Sequence, residues 1–479
     1  METGQAAKEF RGPLPSVADE FSKANLGHEQ RRTRAMKIAE ACSAAPDHSF
    51  PDIAGDTAAL EGLYRFCSND EVAPEKLVEA HAEKTCERAA QARLVVCPHD
   101  TTEFGFSPDT IRAGLGRLRT NTQGFLAHMT LAVAADGSRN PLGVLAMNPW
   151  VRPKGKKKRG SARERYETSE SRRWGNQVDE VEARMAGRAS LIHVMDREAD
   201  AFPLLSDMAI KGRRFVVRLT HDRHVEFDGI ATRLREAAAS APQLFEAVVP
   251  LSRRKGSKCP QTAKTHKPRD GRFAMLAFSS LKITIPRPAS CPAYWANGAK
   301  QVELNVVRVH EPNPPEGEEP VEWLLATTEP VETAAQVRAV VDFYRIRWMI
   351  EEFFKAIKTG CAYEQRQLES YHALVCALAI FLPIAWQLLL LRHLARNAPE
   401  APATSVLTPV QILILRNKAH VKLSESPTAR QGLLAVASLG GHLKRNGEPG
   451  WLVLWRGMAK LDLLASGWAV RDAVEAGRT

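Results

Sequence analysis

Residues 93–102 read RLVVCPHDTT, a short β-branched apolar run that ends in polar residues. Two further apolar runs follow, GFLAHMTLAVAA at 124–135 and PLGVLAM at 141–147, and the turn Asp136-Gly137 lies between them. Runs of this length and composition, bounded by turn residues, are typical of buried strands. We therefore predict three consecutive strands that pair as a meander, with Asp100 at the end of the first.

After this meander the pattern alternates between helix and strand. Helices are expected over about 170–186 and 202–210, and buried strands over ASLIHVM at 189–195 and RFVVR at 214–218. The first of these strands leads directly into Asp196. A meander followed by helix, strand, helix and strand indicates an α/β fold, and this order fits a ribonuclease-H-like layer.

Helical segments flank this layer on both sides. Apolar residues recur at helical spacing from about 16 to 90, and the pattern is helical again beyond Pro399. Between about 225 and 330 the chain is rich in short alternating strands and proline, which we interpret as a β insertion within the core. The predicted domains are a helical N-terminal domain at 1–75, an α/β core domain at 76–397 and a helical C-terminal domain at 398–479.

Composition restricts the partners of this chain. Its 479 residues carry a formal net charge of +11 and a pI of about 9.3, so the expected partner is a polyanion, either nucleic acid or an anionic membrane surface. The eight cysteines include no CxxC pair, which favours reduced thiols over a zinc site or a disulfide framework. The N-terminal segment is polar, without an apolar signal segment, so we expect a cytoplasmic protein.

One apolar run, ALVCALAIFLPIAWQLLLL at 373–391, is nearly long enough to cross a bilayer. It contains Pro383 and Gln387, it stands alone in the chain, and it directly follows a charged amphipathic helix. We therefore interpret it as a buried core helix. A membrane-associated basic protein is the alternative, and it rests only on this run and on the net charge.

The most informative polar segment is YRIRWMIEEFFKAIK, at residues 344–358. We expect one long helix from Ala334 through the 350s, and four polar side chains would share one of its faces within an arc of roughly 60°. These side chains are Tyr344, Arg347, Glu351 and Lys358. A phenol, a guanidinium, a carboxylate and an ammonium on one stripe suit a metal-bound phosphate. The alternative is an ordinary surface ion pair between Arg347 and Glu351.

Two aspartates, Asp100 and Asp196, follow predicted buried strands. If those strands are adjacent and parallel, the two carboxylates converge at one edge of the sheet, and Glu351 adds a third. Three carboxylates suit a site for two Mg²⁺ ions, which phosphoryl transfer uses to hold the attacking and leaving oxygens. Each aspartate taken alone is equally consistent with a turn or a helix N-cap.

Several segments resemble the bacterial transposases of the insertion-sequence-four group. The chemistry-bearing segments are HDTTEF at 99–104, VMDREAD at 194–200 and YRIRWMIEEFFKAIKTG at 344–360. The resemblance covers nearly the whole chain, and it includes ANLGHEQRRTRAMKIAE at 24–40, LTPVQILIL at 407–415 and LGGHLKRNGEPGWLVLWRG at 439–457. That family has an Asp-Asp-Glu triad and a Tyr-x2-Arg-x3-Glu-x6-Lys signature, and the signature is intact here from Tyr344 to Lys358.

The resemblance implies a metal-dependent enzyme of cut-and-paste DNA transposition. It would cleave transposon ends through a hairpin intermediate and transfer the strands into target DNA. Two Mg²⁺ ions, for which Mn²⁺ substitutes, would be held by the catalytic residues Asp100, Asp196 and Glu351. The implied partners are double-stranded transposon-end and target DNA and a second copy of the chain, paired through the C-terminal domain, with no membrane. The implied location is the bacterial cytoplasm, at the nucleoid.

The resemblance also implies DNA contacts. Trp323 matches an aromatic residue that stacks against a flipped base, although in its apolar run it could instead be a core residue. The helical domain at 1–75 matches the module that recognises transposon ends. The implied DNA-binding residues are Tyr344, Arg347, Lys358, Trp323, Arg218, Arg31, Arg32 and Arg34. The lysine-rich loop at 154–159 and the segment 252–271 depart from the family pattern. A regulator that binds ends without cutting, or an inactive relic, is the alternative function.

Overall fold

The structure is a computed structural model that describes residues 16–118, 122–152, 169–253, 268–443, 445 and 447–475. These residues belong to two compact units. The first unit draws on Met1–Arg159, Asp179–Ser190 and Trp348–Thr479, and the second on Gly160–Val178 and Leu191–Arg347. The lysine-rich loop at 154–159 lies outside the described residues, as does 254–267 within the altered segment.

Helices form the N-terminal part of the first unit, as predicted for residues 16–90. They follow a short 3-10 turn, Val17–Phe21, and are α1 (Glu29–Ala44), α2 (Phe50–Ala54), α3 (Thr57–Cys67) and α4 (Pro74–Ala89). Polar side chains cap the N-termini of three of them, because His28, Ser49 and Asp56 accept hydrogen bonds from backbone N–H groups of α1, α2 and α3. Their apolar faces are buried, with Leu63 and Phe66 of α3 and Leu77 of α4 as examples.

The predicted meander is confirmed. Its three strands are β1 (Leu94–Phe106), β3 (Gln123–Ala134) and β4 (Pro141–Trp150), and an additional two-residue strand, β2 (Gly116–Arg117), also pairs with β3. Strand β3 pairs antiparallel with β1 on one side and with β4 on the other. All residues of β3 after Gln123 are buried, because both faces of the strand are covered.

Strand β1 is longer than predicted. Its pairing with β3 continues to Phe106 opposite Gln123, since Phe104 and Phe106 alternate into the core beyond the apolar run. Asp100 therefore lies within the strand, opposite Met129, and the prediction that it ends the strand is wrong. The alternative of a turn or a helix N-cap at Asp100 is excluded for the same reason.

The second unit contains a mixed sheet. After α5 (Arg172–Met185), its elements in chain order are β5 (Ser190–Met195), α6 (Phe202–Ile210), β6 (Phe215–Leu219), β7 (His224–Phe227), β8 (Ile230–Arg233), α7 (Leu234–Ser240), β9 (Gln243–Leu251), β10 (Arg272–Pro286), β11 (Gln301–His310) and β12 (Glu322–Thr327). The strand order in this unit is β5-β6-β12-β11-β10-β7-β8, and β9 pairs with β10. Strands β5 and β6 are parallel and the other described pairs of this unit are antiparallel. The chain therefore has a mixed α/β architecture with helical segments on both flanks.

The long helix predicted from Ala334 through the 350s is interrupted, so that prediction is wrong. Helix α8 (Ala334–Ile346) ends before Arg347, and α9 (Trp348–Lys355) begins after it. The Arg347 N–H donates to Tyr344 O at 3.0 Å, an i to i−3 bond that tightens the last turn of α8. A π turn at Ala356–Gly360 follows α9, where the Cys361 N–H donates to Ala356 O at 2.9 Å. The four signature residues therefore do not share one regular helix.

The apolar run at 373–391 lies in α10 (Tyr371–Asn397), a helix of the first unit that is long and apolar enough to span a membrane by length and composition. Its most apolar 18-residue window is 94% buried inside the protein. The helix packs on α4 and β4, and the Trp386 indole N–H donates to Pro141 O at 2.9 Å. The interpretation of this run as a core helix is confirmed.

The C-terminal part of the first unit is helical, as predicted. Its helices are α11 (Pro409–Lys418), α12 (Ala429–Leu439) and α13 (Trp451–Glu475). Gln411 connects two of them, because its Oε1 accepts from the Thr408 N–H at 2.8 Å and its Nε2 donates to Asp462 Oδ1 at 2.8 Å. Burial raises the pKa of Asp462 to about 6, although the Gln411 hydrogen bond lowers it.

This raised pKa makes the stability of the first unit depend on pH. A raised pKa means that the folded state favours the neutral carboxyl of Asp462. The contribution of this neutral carboxyl to folding stability is therefore complete below the ordinary pKa of 3.8 and is lost as the pH rises through about 6. We expect Asp462→Asn to stabilise the protein at pH 8 by up to about 2 kcal/mol and to change little at pH 4. Thermal unfolding of both proteins at the two pH values measures this. An equal change in stability at pH 4 and pH 8 would contradict the assignment of this pH dependence to Asp462.

Candidate functional site

Two of the predicted triad carboxylates lie on elements of the first unit that pack together. Asp100 lies in β1 and Glu351 in α9, and α9 packs against β1. Both residues are partly exposed. The Asp100 carboxylate accepts a hydrogen bond from the Thr101 N–H at 2.7 Å. The first unit thus holds these two carboxylates on a buried strand and a short helix, which are rigid supports for a site.

Lys358 is anchored to the same strand. Its Nζ donates to Glu103 O at 2.5 Å and lies 5.3 Å from the centre of the Phe104 ring. Burial lowers the pKa of Lys358, while the carboxylates of Glu364 and Glu103 raise it. The first unit therefore places one half-buried cation beside β1, where an anionic ligand would gain a charge-assisted hydrogen bond.

The third predicted carboxylate, Asp196, lies in the second unit directly after β5. Its Oδ1 accepts from the Glu198 N–H at 2.8 Å and so caps a short 3-10 turn, Arg197–Ala199. The capping alternative is therefore realised at this residue. Capping does not exclude a metal, because a carboxylate offers about four acceptor positions and this bond uses one.

Asp200, the second aspartate of the same segment, has a structural role. It is buried and forms an ion pair with Arg223. Its Oδ2 also accepts from the backbone N–H groups of Thr220 and His221 at 2.7 and 2.9 Å. These bonds connect the end of β5 to the end of β6 and hold the backbone that carries Asp196.

The second unit brings five predicted site residues into one neighbourhood. Trp323 of β12 meets Tyr344 of α8 edge-on, with ring centres 5.3 Å apart, and the Arg218 guanidinium lies 5.9 Å from the Trp323 ring centre. Burial raises the pKa of Tyr344, the charges of Arg218 and Arg347 lower it, and that of Asp196 raises it. The Trp323 indole therefore contacts the Tyr344 phenol, and the charges of two guanidiniums and one carboxylate act on that phenol.

The predicted N-terminal arginines lie on α1, and they differ in their contacts. Arg31 is partly buried: it forms an ion pair with Glu71, and its Nη1 donates to Leu26 O at 3.2 Å. Arg32 pairs with Glu29 at 3.0 Å, which is a short-range surface pair. Arg34 is exposed. The structure thus assigns Arg31 a fold-stabilising contact that the sequence pattern did not reveal.

The donor set of the predicted triad fits a hard divalent cation, because all three side chains are carboxylates. Across the residues that the structure describes, no group of three or more His, Cys, Asp or Glu side chains is close enough to hold a metal ion. Asp100 and Glu351 are described in the first unit and Asp196 in the second, so the triad stays a prediction.

Sequence reasoning missed two carboxylates beside Lys358. Glu103 is 3.6 Å from Arg152, and its backbone oxygen accepts the Lys358 hydrogen bond. Glu364 Oε1 lies 4.0 Å from Lys358 Nζ. Regular helical spacing could not place Glu364 there, because the π turn at Ala356–Gly360 and the positive φ of Ala362 interrupt the helix between Lys358 and Glu364.

Comparison with known proteins adds the family context. A model described as "Transposase DNA-binding" matches residues 16–72, and a model described as "Transposase DDE domain" matches residues 166–385. The second match includes Asp196 and the whole signature from Tyr344 to Lys358, whereas Asp100 lies outside both.

Among solved structures, one likeness is to a cryo-EM structure of the piggyBac transposase synaptic complex with hairpin DNA (SNHP). The two chains share 9% sequence identity and align with a TM-score of 0.35, over 81% of this chain and 73% of that chain. The two family matches are independent of it. They show that this chain contains a transposase DNA-binding domain followed by a transposase DDE domain, a class of domain that generally uses divalent metal ions.

Proposed function

We propose that this chain is a cut-and-paste DNA transposase of the bacterial insertion-sequence-four group, similar to the transposase of the transposon Tn-five. One observation carries the proposal: the DDE-domain match contains the complete Tyr-x2-Arg-x3-Glu-x6-Lys signature and Asp196. The N-terminal match at 16–72 supports recognition of DNA by the same chain. The mixed sheet, with parallel β5 and β6, supports a ribonuclease-H-like core.

In this proposal Asp100, Asp196 and Glu351 would hold two Mg²⁺ ions, for which Mn²⁺ substitutes. The bound ions supply charge stabilisation of the attacking and leaving oxygens during phosphoryl transfer. The protein contributes rigid supports for the carboxylates: Asp100 lies within a paired strand, and the turn that Asp196 caps is tied to β6 through Asp200.

The remaining signature residues bind phosphate in this proposal. Arg347 and Lys358 supply positive charge, and Tyr344 supplies a neutral hydroxyl, since its raised pKa keeps the proton on the oxygen at neutral pH. Arg218 lies against Trp323 and donates to Glu322 O at 3.3 Å, so its guanidinium is held in place for a DNA contact. Each of these donors would contact the phosphate backbone of the transposon end independently of base sequence.

Trp323 is proposed to stack on a flipped base during hairpin formation. It is only partly buried, unlike a core tryptophan, and its edge-to-face contact with Tyr344 fixes the ring. Because stacking on an aromatic side chain contributes about 1–3 kcal/mol per base, Trp323→Ala should slow hairpin formation by roughly 5- to 150-fold and leave the first nick unchanged. Trp323→Phe should retain most of the rate. A denaturing gel of end-labelled DNA separates the nicked product from the hairpin product. If Trp323→Ala formed hairpins at the wild-type rate, Trp323 would not be the stacking residue.

The proposed partners are double-stranded transposon-end and target DNA and a second copy of the chain, paired through the C-terminal helices. The proposed location is the bacterial cytoplasm, in association with the nucleoid. The joining step can be tested separately from cleavage, with pre-cut ends that already carry a free 3′-hydroxyl and a supercoiled plasmid as target. Joined product that requires a divalent ion is expected. Ends that are bound but never joined would count against the transposase assignment.

A further inference from the structure

Glu364 connects Lys358 to strand β1. It lies in a short 3-10 turn, Tyr363–Gln365, that follows the π turn carrying Lys358. Its Oε1 accepts a hydrogen bond from the Gly105 N–H at 2.8 Å, and the same oxygen lies 4.0 Å from Lys358 Nζ. One carboxylate oxygen therefore faces both the strand backbone and the lysine ammonium.

Lys358 completes this connection from its own side. Its Nζ donates to the backbone oxygen of Glu103, two residues before Gly105 in the same strand. The ammonium is thus fixed at two points of β1, directly through Glu103 and indirectly through Glu364 and Gly105. A flexible four-carbon side chain held in this way loses its conformational freedom before any ligand arrives.

We propose that Glu364 is a positioning residue that holds the Lys358 ammonium charged and fixed beside β1 for a DNA phosphate. The phosphate as ligand rests on the proposed function, whereas the positioning of Lys358 rests on the geometry of the first unit alone.

The charges around Lys358 support this role. Burial of an ammonium favours its neutral form, and a neutral amine would bind phosphate poorly. Two carboxylates oppose that effect: Glu364 from the 3-10 turn and Glu103 from β1, while the Phe104 ring adds a cation–π contact from the same strand. Glu103 Oε1 lies 3.6 Å from Arg152 Nη1, and the arginine charge offsets part of the negative charge of Glu103. Glu364 therefore raises the pKa of Lys358 more than Glu103 does.

Glu364→Gln separates charge from structure. The glutamine oxygen can still accept the Gly105 hydrogen bond, but the negative charge beside Lys358 is gone. Glu369→Gln is the matched control, because Glu369 is an exposed glutamate five residues along the chain.

The reactivity of Lys358 is measured by competitive acylation over a pH series, with mass spectrometry to quantify the labelled lysine. Only the neutral amine reacts, so we expect severalfold faster labelling of Lys358 in Glu364→Gln at a fixed pH and no change in Glu369→Gln. Unchanged labelling in Glu364→Gln would overturn the proposal.

The pH dependence of DNA cleavage is the second measurement, and it tests whether the positioning of Lys358 affects the reaction. In Glu364→Gln the alkaline limb of the cleavage profile should move to lower pH, and Lys358→Arg in that background should remove the shift, since arginine stays protonated. A uniform loss at all pH values with unchanged labelling would indicate a merely structural role and overturn the proposal. If Lys358 labelling is faster in Glu364→Gln but the wild-type protein cuts no DNA, the proposed function is wrong and the positioning role of Glu364 is still supported.

Discussion

Replacing Glu351 by alanine should lower the rate of transposon-end cleavage by at least about a thousandfold, equivalent to about 4 kcal/mol in the activation barrier. The loss is expected because Glu351 would be one of three carboxylates that hold the divalent ions, and the remaining side chains cannot replace a missing hard ligand. End binding should be nearly unchanged, because the proposed DNA contacts lie on other residues. Single-turnover cleavage and a gel shift on the same labelled duplex measure the two quantities.

The adjacent glutamate provides the control for this prediction. Glu352 lies in the same helix, and its carboxylate pairs with Lys355 at 2.8 Å and Arg392 at 3.1 Å. Glu352→Gln should therefore retain cleavage, provided that its melting temperature confirms a folded protein. Equal losses in the two variants would show that α9 responds to any change of charge, and robust cleavage by Glu351→Ala would refute the triad.

Replacing Glu20 by alanine should lower the free energy of unfolding by about 3–5 kcal/mol. Glu20 is 1% exposed and accepts from His81 Nδ1 at 2.6 Å and Arg88 Nη1 at 2.7 Å. The other ring nitrogen of His81 accepts from the Val144 N–H at 3.1 Å, so His81 is a neutral donor toward Glu20. Without the carboxylate, the Arg88 guanidinium would be left largely buried without its counter-charge, which accounts for the large expected loss.

The pH dependence of this effect follows from the same contacts. Burial raises the pKa of Glu20, but its contacts with the His81 imidazole and the Arg88 guanidinium outweigh burial and lower the pKa to about 2. A lowered pKa contributes stability that is present above the ordinary value of 4.5 and is lost as the pH falls through about 2.

Urea unfolding should therefore show the difference between wild type and Glu20→Ala narrowing below pH 4.5. Asp19→Ala, an exposed neighbour, should change stability by less than about 0.5 kcal/mol. A constant difference across the acid range would contradict the proposed origin of the effect.

The elements that could be predicted from the sequence are those whose buried side chains are consecutive or regularly spaced. Strands β3 and β4 and helix α10 are of this kind, because most side chains along them are buried. Strand β1 was predicted too short, since only its first half is continuously apolar and its second half is recognisable only by its pairing with β3. That pairing is a tertiary property, and it explains why Asp100 was misplaced by half a strand.

The residues of the candidate site also fall into two groups, those that the sequence could identify and those that only the structure reveals. The four signature residues could be identified by type and spacing, but their supports could not. The turn at Arg347 and the π turn after α9 change the geometry that regular spacing implies. Glu364 contacts Gly105 from 259 positions away along the chain, and Glu20 contacts His81 from 61 positions away. Long-range pairs of this kind leave no periodic signal in a single sequence.

Incubation of the purified chain with a labelled duplex that carries its element's own end, with and without Mg²⁺, tests the central claim most directly. We predict nicking at the transposon end that requires Mg²⁺ or Mn²⁺ and is absent in Glu351→Ala. Binding of the end without cleavage under either ion would contradict the account and identify the chain as a regulator or an inactive relic.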